Sequence, residues 1–224
     1  MKLLKPFSSH LDSANFSCKG FFDFLKQNKI LFFVSLFALL AIYAVRFSAI
    51  PFGVDTEMHL ANSRYINWLQ IGRFGLVGLQ KLLTNFLQGK ELFNPFLHTF
   101  LAIFFLLFGT LLWCYLIDFF ACQNIKKTLF IPFAVVLLSH QVWAEQIYFV
   151  LQSAECLFIY LLSPIIVFLL FFGVLNAQIK KIVFGILLFS LCISVYQGII
   201  PLIFCGIFAC FILFEENSAK IEKT

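Results

Sequence analysis

Apolar residues in this chain gather into long, nearly unbroken runs, not into the alternation of a half-buried strand. The first run covers roughly residues 30–49, and no charge falls between Lys29 and Arg46. Further runs cover roughly 95–120, 129–143 and 156–175. A last run, 182–214, is too long for one comfortable crossing. Tyr196-Gln197-Gly198 interrupts it and Pro201 follows, so the pattern predicts two short helices, 182–196 and 199–214, joined by a tight turn. A single tilted helix is the alternative. About 20 helical residues cross a hydrocarbon core. The pattern therefore predicts an all-α, polytopic membrane helix bundle with about six transmembrane helices.

The polar stretches between the runs carry patterns of their own. In the N-terminal segment 1–29, Phe21, Phe22, Phe24 and Leu25 predict a short helix lying on the membrane surface. The segment 144–155 is only partly polar and is expected at the interface, and 215–224 is a charged tail. The loop 51–94 contains two amphipathic stretches. Met58, Ala61, Tyr65, Trp68 and Leu69 share one helical face; Leu76, Leu79, Leu83, Phe86 and Leu87 share another. Gly72-Arg73-Phe74-Gly75 separates them. Both stretches are expected to lie in the interface with their apolar faces in lipid.

Composition agrees with a membrane protein: 62% of the residues are hydrophobic, mean hydropathy is +0.96 and only 12% are charged. A typical soluble domain is about 25% charged. The net charge of +5 matters by its location and does not point to nucleic acid. Six crossings put Lys2, Lys5, Lys19, Lys26, Lys29, Lys126, Lys127, Lys180, Lys181, Lys220 and Lys223 on one side, eleven cations in all. Arg46, Arg64, Arg73, Lys81 and Lys90, five cations, fall on the other. The positive-inside rule then places both termini in the cytoplasm and the loop 51–94 outside. The 29 residues before the first run and the lack of a cleavage pattern after it predict a retained helix instead of a signal peptide. Seven cysteines show neither a CxxC pair nor metal-ligand spacing, and His59, His98 and His140 form no paired ligand set.

The outer loop is where chemistry is expected. Asp55 and Glu57 follow the first span directly, at a depth suited to a substrate whose head group protrudes from the bilayer. Sugar transfer to a hydroxyl needs a general base, a role Asp55 can fill. It also needs cations at the departing phosphate, which Arg64 and Arg73 can supply because a guanidinium grips phosphate oxygens in bidentate fashion. Two carboxylates and two arginines in a loop can equally be just solvated. Glu145, Gln146, Tyr148, Gln152 and Glu155 cluster on the same side, either lining the same site or standing in head-group water. Tyr196 and Gln197 reach that side too, as substrate contacts or interface anchors. A divalent cation at Asp55 and Glu57 is compatible with this arrangement. No P-loop, GxGxxG or Ser-His-Asp order is present.

Asp55-x-Glu57, followed by Arg64-Tyr65, Trp68 and Gly72-Arg73, resembles the Gtr-type bacterial O-antigen glucosyltransferases of the multispanning GT-C class. Ser194-Val-Tyr196-Gln197 before a further apolar run is similar to that family as well. The resemblance covers roughly residues 30–214. It implies a polyprenyl-phosphate-linked glucose donor and a cell-surface glycan acceptor, with a companion flippase and a donor-synthesising enzyme. It also implies that Asp55 is the base, Glu57 its partner, and that the substrate meets Arg64, Tyr65, Trp68, Arg73, Glu145, Glu155, Tyr196 and Gln197. Enzymes of this kind usually continue through further spans, so the end at Thr224 implies a short or truncated member. The competing expectation is a non-catalytic membrane protein (a lipid-linked-sugar flippase, small transporter or assembly subunit) or an inactive fragment of such a transferase.

Overall fold

The computed structural model describes residues 16–48, 68–86, 95–121, 126–149 and 152–221. Every regular element among them is helical. In chain order these are α1 (Cys18–Gln27), α2 (Lys29–Tyr43), α3 (Val45–Ser48), α4 (Phe74–Phe86) and α5 (Pro95–Phe120). Then come α6 (Phe130–Leu138), α7 (Gln141–Tyr148), α8 (Ser153–Leu175), α9 (Ile179–Val195) and α10 (Ile200–Ile221). Single 3-10 turns precede α6 and α10, at Lys127–Leu129 and Gln197–Ile199.

Three described segments are long and apolar enough to cross a membrane: α5, α8 and Gln197–Glu215. Two bent pairs raise the number to five if each is one span: α1 with α2, meeting at 88°, and Lys127–Leu138 with α7, meeting at 44°. The 17-residue α9 lies below that length. Outward-facing side chains are those of a lipid-facing surface. On α9, Phe184, Leu187 and Leu191 are exposed, and on α10, Phe204, Phe208 and Ile212. So large an apolar face in water would drive association.

Helix α8 is the hub, packing against α5, α9, α10, α7 and α4. It runs parallel to α5: Phe105 meets Phe158 at one end and Phe120 meets Phe171 at the other, with ring centroids 5.3 and 5.2 Å apart. Pro164 sits inside α8. Its missing N–H would have bonded the carbonyl of residue 160, four positions back. The Ser163 hydroxyl donates to the Tyr160 carbonyl instead, at 2.6 Å, and accepts from Trp113 Nε1 at 3.1 Å. The Thr110 and Tyr160 hydroxyls pair at 3.0 Å alongside. These four polar side chains at mid-bundle therefore satisfy one another.

The 182–214 run is two helices. α9 ends at Val195, Tyr196 is extended at φ −152° and ψ 112°, and a 3-10 turn leads into α10. Helix α1 also forms: Ser17 Oγ caps it by accepting from Gly20 N at 3.2 Å, and Phe24 is buried. Phe16, just before it, stacks between Tyr115 and Phe168, at 4.9 and 4.3 Å.

Three expectations change. The run 129–143 does not continue as one helix, because it breaks at Ser139–His140, where the His140 ring nitrogen accepts from Val142 N at 3.3 Å and starts α7. Nor does 144–155 simply stand in head-group water: Gln146, Gln152 and Glu155 are buried in protein. As for the loop helices, α4 lays only part of its apolar face outward. Phe74 and Leu82 are exposed, whereas Leu76 and Val77 are buried, and α4 packs on α9. Gly75 permits that contact, since a Cβ there would run into the Ser194 side chain. Of the first amphipathic stretch, only a helical turn at 68–70 falls among the described residues.

Candidate functional site

The bundle has two chemically different ends. At one, Lys127 Nζ donates to Gln27 Oε1 at 3.3 Å and the Lys181 ammonium lies 4.3 Å from the Phe172 ring centre. At the other, Tyr43 OH donates to the Leu138 carbonyl at 2.9 Å, and the Arg46 guanidinium lies 5.6 Å from the Tyr148 ring centre. Arg73, Gln146, Gln152 and Tyr196 collect at this second end.

Arg73 is positioned by the turn it closes. Gly72 N donates to Leu69 O at 3.1 Å and Arg73 N donates to Trp68 O at 2.9 Å. Those two bonds, with Gly72 at φ +81°, are the left-handed helix ending known as a Schellman motif. A hydrophobic contact usually accompanies the motif between the residue after the glycine and the residue five positions before it. Here a cation–π contact takes its place, because the Arg73 guanidinium lies 5.0 Å from the Trp68 ring centre. On the other side it lies 5.5 Å from the Tyr196 ring centre. Arg73 Nη1 also donates to Gln152 Oε1 at 2.6 Å. Two rings and an amide thus fix the cation in orientation, and no described carboxylate neutralises it within ion-pair distance.

Tyr196 reaches Arg73 from the break between α9 and α10. Its ring folds back over Gly198, where a Cβ would collide with it. Gln146 Nε2 donates to Tyr196 OH at 3.1 Å, so the phenol accepts there and still carries its own proton.

The structure brings Trp68, Arg73 and Tyr196 into one cluster. Glu155, only 2% exposed, stands in the first turn of α8, with no hydrogen-bond partner at either oxygen. Glu145 is apart from the cluster in contact terms: it is exposed and accepts from Gln141 Nε2 at 3.3 Å. Gln197 is exposed in its turn. Asp55, Glu57, Arg64 and Tyr65 lie outside the described residues, as does the divalent-cation site expected between the first two. Among the described residues no group of three or more His, Cys, Asp and Glu side chains is placed to hold a metal ion. Gln152, which holds the guanidinium, was visible in the sequence only as one polar residue in a short cluster. Gly72 and Gly198, which shape the two approaches to Arg73, read there simply as breaks.

A family model described as glucosyl transferase GtrII matches residues 47–221. No curated protein and no solved structure gives a match.

Proposed function

The chain belongs to the glucosyl transferase GtrII family, and from that premise we propose that it transfers glucose from a polyprenyl-phosphate-linked donor to a cell-surface glycan such as O-antigen. The observation that carries the location of the reaction is the Arg73 clamp. It holds one cation between Trp68 and Tyr196 at the end of the bundle to which the acidic loop returns. Asp55, with Glu57 as its partner, takes the proton of the acceptor hydroxyl. The acceptor oxygen bonds to the anomeric carbon as the bond from that carbon to the phosphate oxygen breaks. The negative charge left on the polyprenyl phosphate is met by Arg73 and Arg64. Tyr65, Glu145, Glu155 and Gln197 complete the substrate contacts in this reading.

The proposal sets the protein in a bacterial cytoplasmic membrane with about six crossings. Helix α9 supports the sixth. It starts beside the Lys181 end of the bundle and finishes at Tyr196 beside Arg73, so it joins the two ends. Its 17 residues reach about 25 Å at ~1.5 Å per residue. Both termini then face the cytoplasm and the Arg73 end faces outward.

Asp55→Asn tests the reaction. Cells carrying it are expected to keep the protein in the membrane and to lose the added sugar from their surface polysaccharide by mass analysis. Unaltered glycan in that strain sinks the proposal.

A further inference from the structure

The Arg73 clamp opens at the protein surface. Trp68, Arg73 and Tyr196 are each half-buried, and Gly72 and Gln197, next to them in the chain, are exposed. The residue that pins the guanidinium is different: Gln152 is only 5% exposed. Its backbone is tied on both sides, since its N–H donates to the Phe149 carbonyl at 3.0 Å and its carbonyl accepts from Cys156 N at 2.9 Å. A ligand arriving from the surface therefore meets the cation and not the amide.

Gln152 occupies the position that begins α8. A side chain there commonly accepts from the free N–H groups of its own helix. This one makes no such bond. It reaches across 79 positions of sequence instead and accepts from Arg73 Nη1 at 2.6 Å.

The neutrality of that partner has an electrostatic consequence. A carboxylate in the same place would hold the fork as firmly and would also cancel its charge. The amide oxygen supplies the hydrogen bond and leaves the charge in place. Among the described residues the ion pair is Lys26 with Asp23 on α1, so no described carboxylate takes up the charge of Arg73. Gln152 uses one of the five N–H groups of the guanidinium. Trp68 and Tyr196 meet the cation through their ring electrons and use none. We propose that Gln152 is a positioning residue for an anionic ligand: its buried amide orients the Arg73 fork and, being neutral, keeps the charge available to a phosphate. This rests on the reading above in which Arg73 meets the phosphate of the donor.

The test measures binding of farnesyl phosphate to the full chain in lipid nanodiscs, corrected for binding to empty nanodiscs. Gln152→Glu keeps the shape and the hydrogen bond but pairs the charge. Gln152→Met keeps the bulk and the charge but loses the hydrogen bond. Gln152→Glu is expected to weaken binding about tenfold and Gln152→Met about threefold. A residue that only packs would give the opposite order, because glutamate is the closer mimic of glutamine. No loss in Gln152→Met, or a loss in it as great as that in Gln152→Glu, overturns the positioning role and leaves the transferase reading standing. Unaltered binding in Arg73→Gln takes the phosphate away from the clamp and overturns the proposal as well. The transferase reading is then decided separately, by the surface glycan of the Asp55→Asn strain.

Discussion

Arg73 shows how one side chain is fixed by neighbours of quite different kinds. A glycine with positive φ turns the backbone, an indole lies under the guanidinium, a phenol lies over it and an amide holds its edge. All four partners suit a flat, forked cation. An ammonium keeps the charge but loses the stacking and the fixed fork. Arg73→Lys is therefore expected to raise KM for a lipid-phosphate donor about tenfold. An unchanged KM in that variant would separate Arg73 from phosphate binding. The family resemblance already grouped Trp68, Arg73 and Tyr196, and the structure brings these three side chains together. The sequence did not show that Gln152 is the amide that completes the clamp. Gln146 and Gln152 looked alike in sequence, and only the packing of α7 on α8 gives them different partners.

At the scale of elements, long apolar runs were legible and short breaks were not. Helices α5 and α8 follow from 26 and 23 nearly unbroken apolar residues. The break at Tyr196 was legible because a tyrosine, a polar residue, a glycine and a nearby proline coincide there. Prolines inside the runs gave a weaker signal. Pro132 sits in the first turns of α6 without ending it, and the chain breaks later, at His140, where a side chain can cap a new start. Pro164 stays inside α8 because Ser163 replaces the bond that proline removes. Ser163→Ala strips the Tyr160 carbonyl and the Trp113 N–H of a partner together, so it should lower unfolding stability by about 1–3 kcal/mol. Adding Pro164→Ala should restore part of that loss by returning an N–H to the helix ladder; equal stability of the single and double variants would contradict this account. Helix α4 was read as a lipid-facing element, yet it leans on α9 because Gly75 lets its backbone approach Ser194. Gly75→Leu should push α4 off α9 at a cost of roughly 1–3 kcal/mol. Sugar transfer should fall while membrane insertion is retained, as read by glycan analysis and membrane fractionation.

For the whole molecule, the two ends of the bundle differ in the kind of cation they carry. Lysines of the short loops gather at one end, and the arginines that touch aromatic rings gather at the other. Gln178 and Gln197 are both exposed and stand at opposite ends of α9. With the native cysteines replaced, Gln178→Cys should react with a membrane-impermeant thiol reagent only after cells are opened. Gln197→Cys should react in intact cells. Labelling of both from the same side would make α9 a re-entrant element and remove one crossing from the bundle.

The stacking of Phe16 between Tyr115 and Phe168 has a consequence for the order in which the protein is made. A ribosome delivers Phe16 long before α5 and longer still before α8, so the first residues of the described chain are among the last to find their partners. Helix α1 can dock on Tyr115 and Phe130 before α8 exists, but the Phe16 stack closes only when Phe168 arrives, and its closing then reports that α5 and α8 have met in register. The N-terminal aromatic is thus a completion mark for assembly, set at the end of the molecule opposite the one where we place its chemistry.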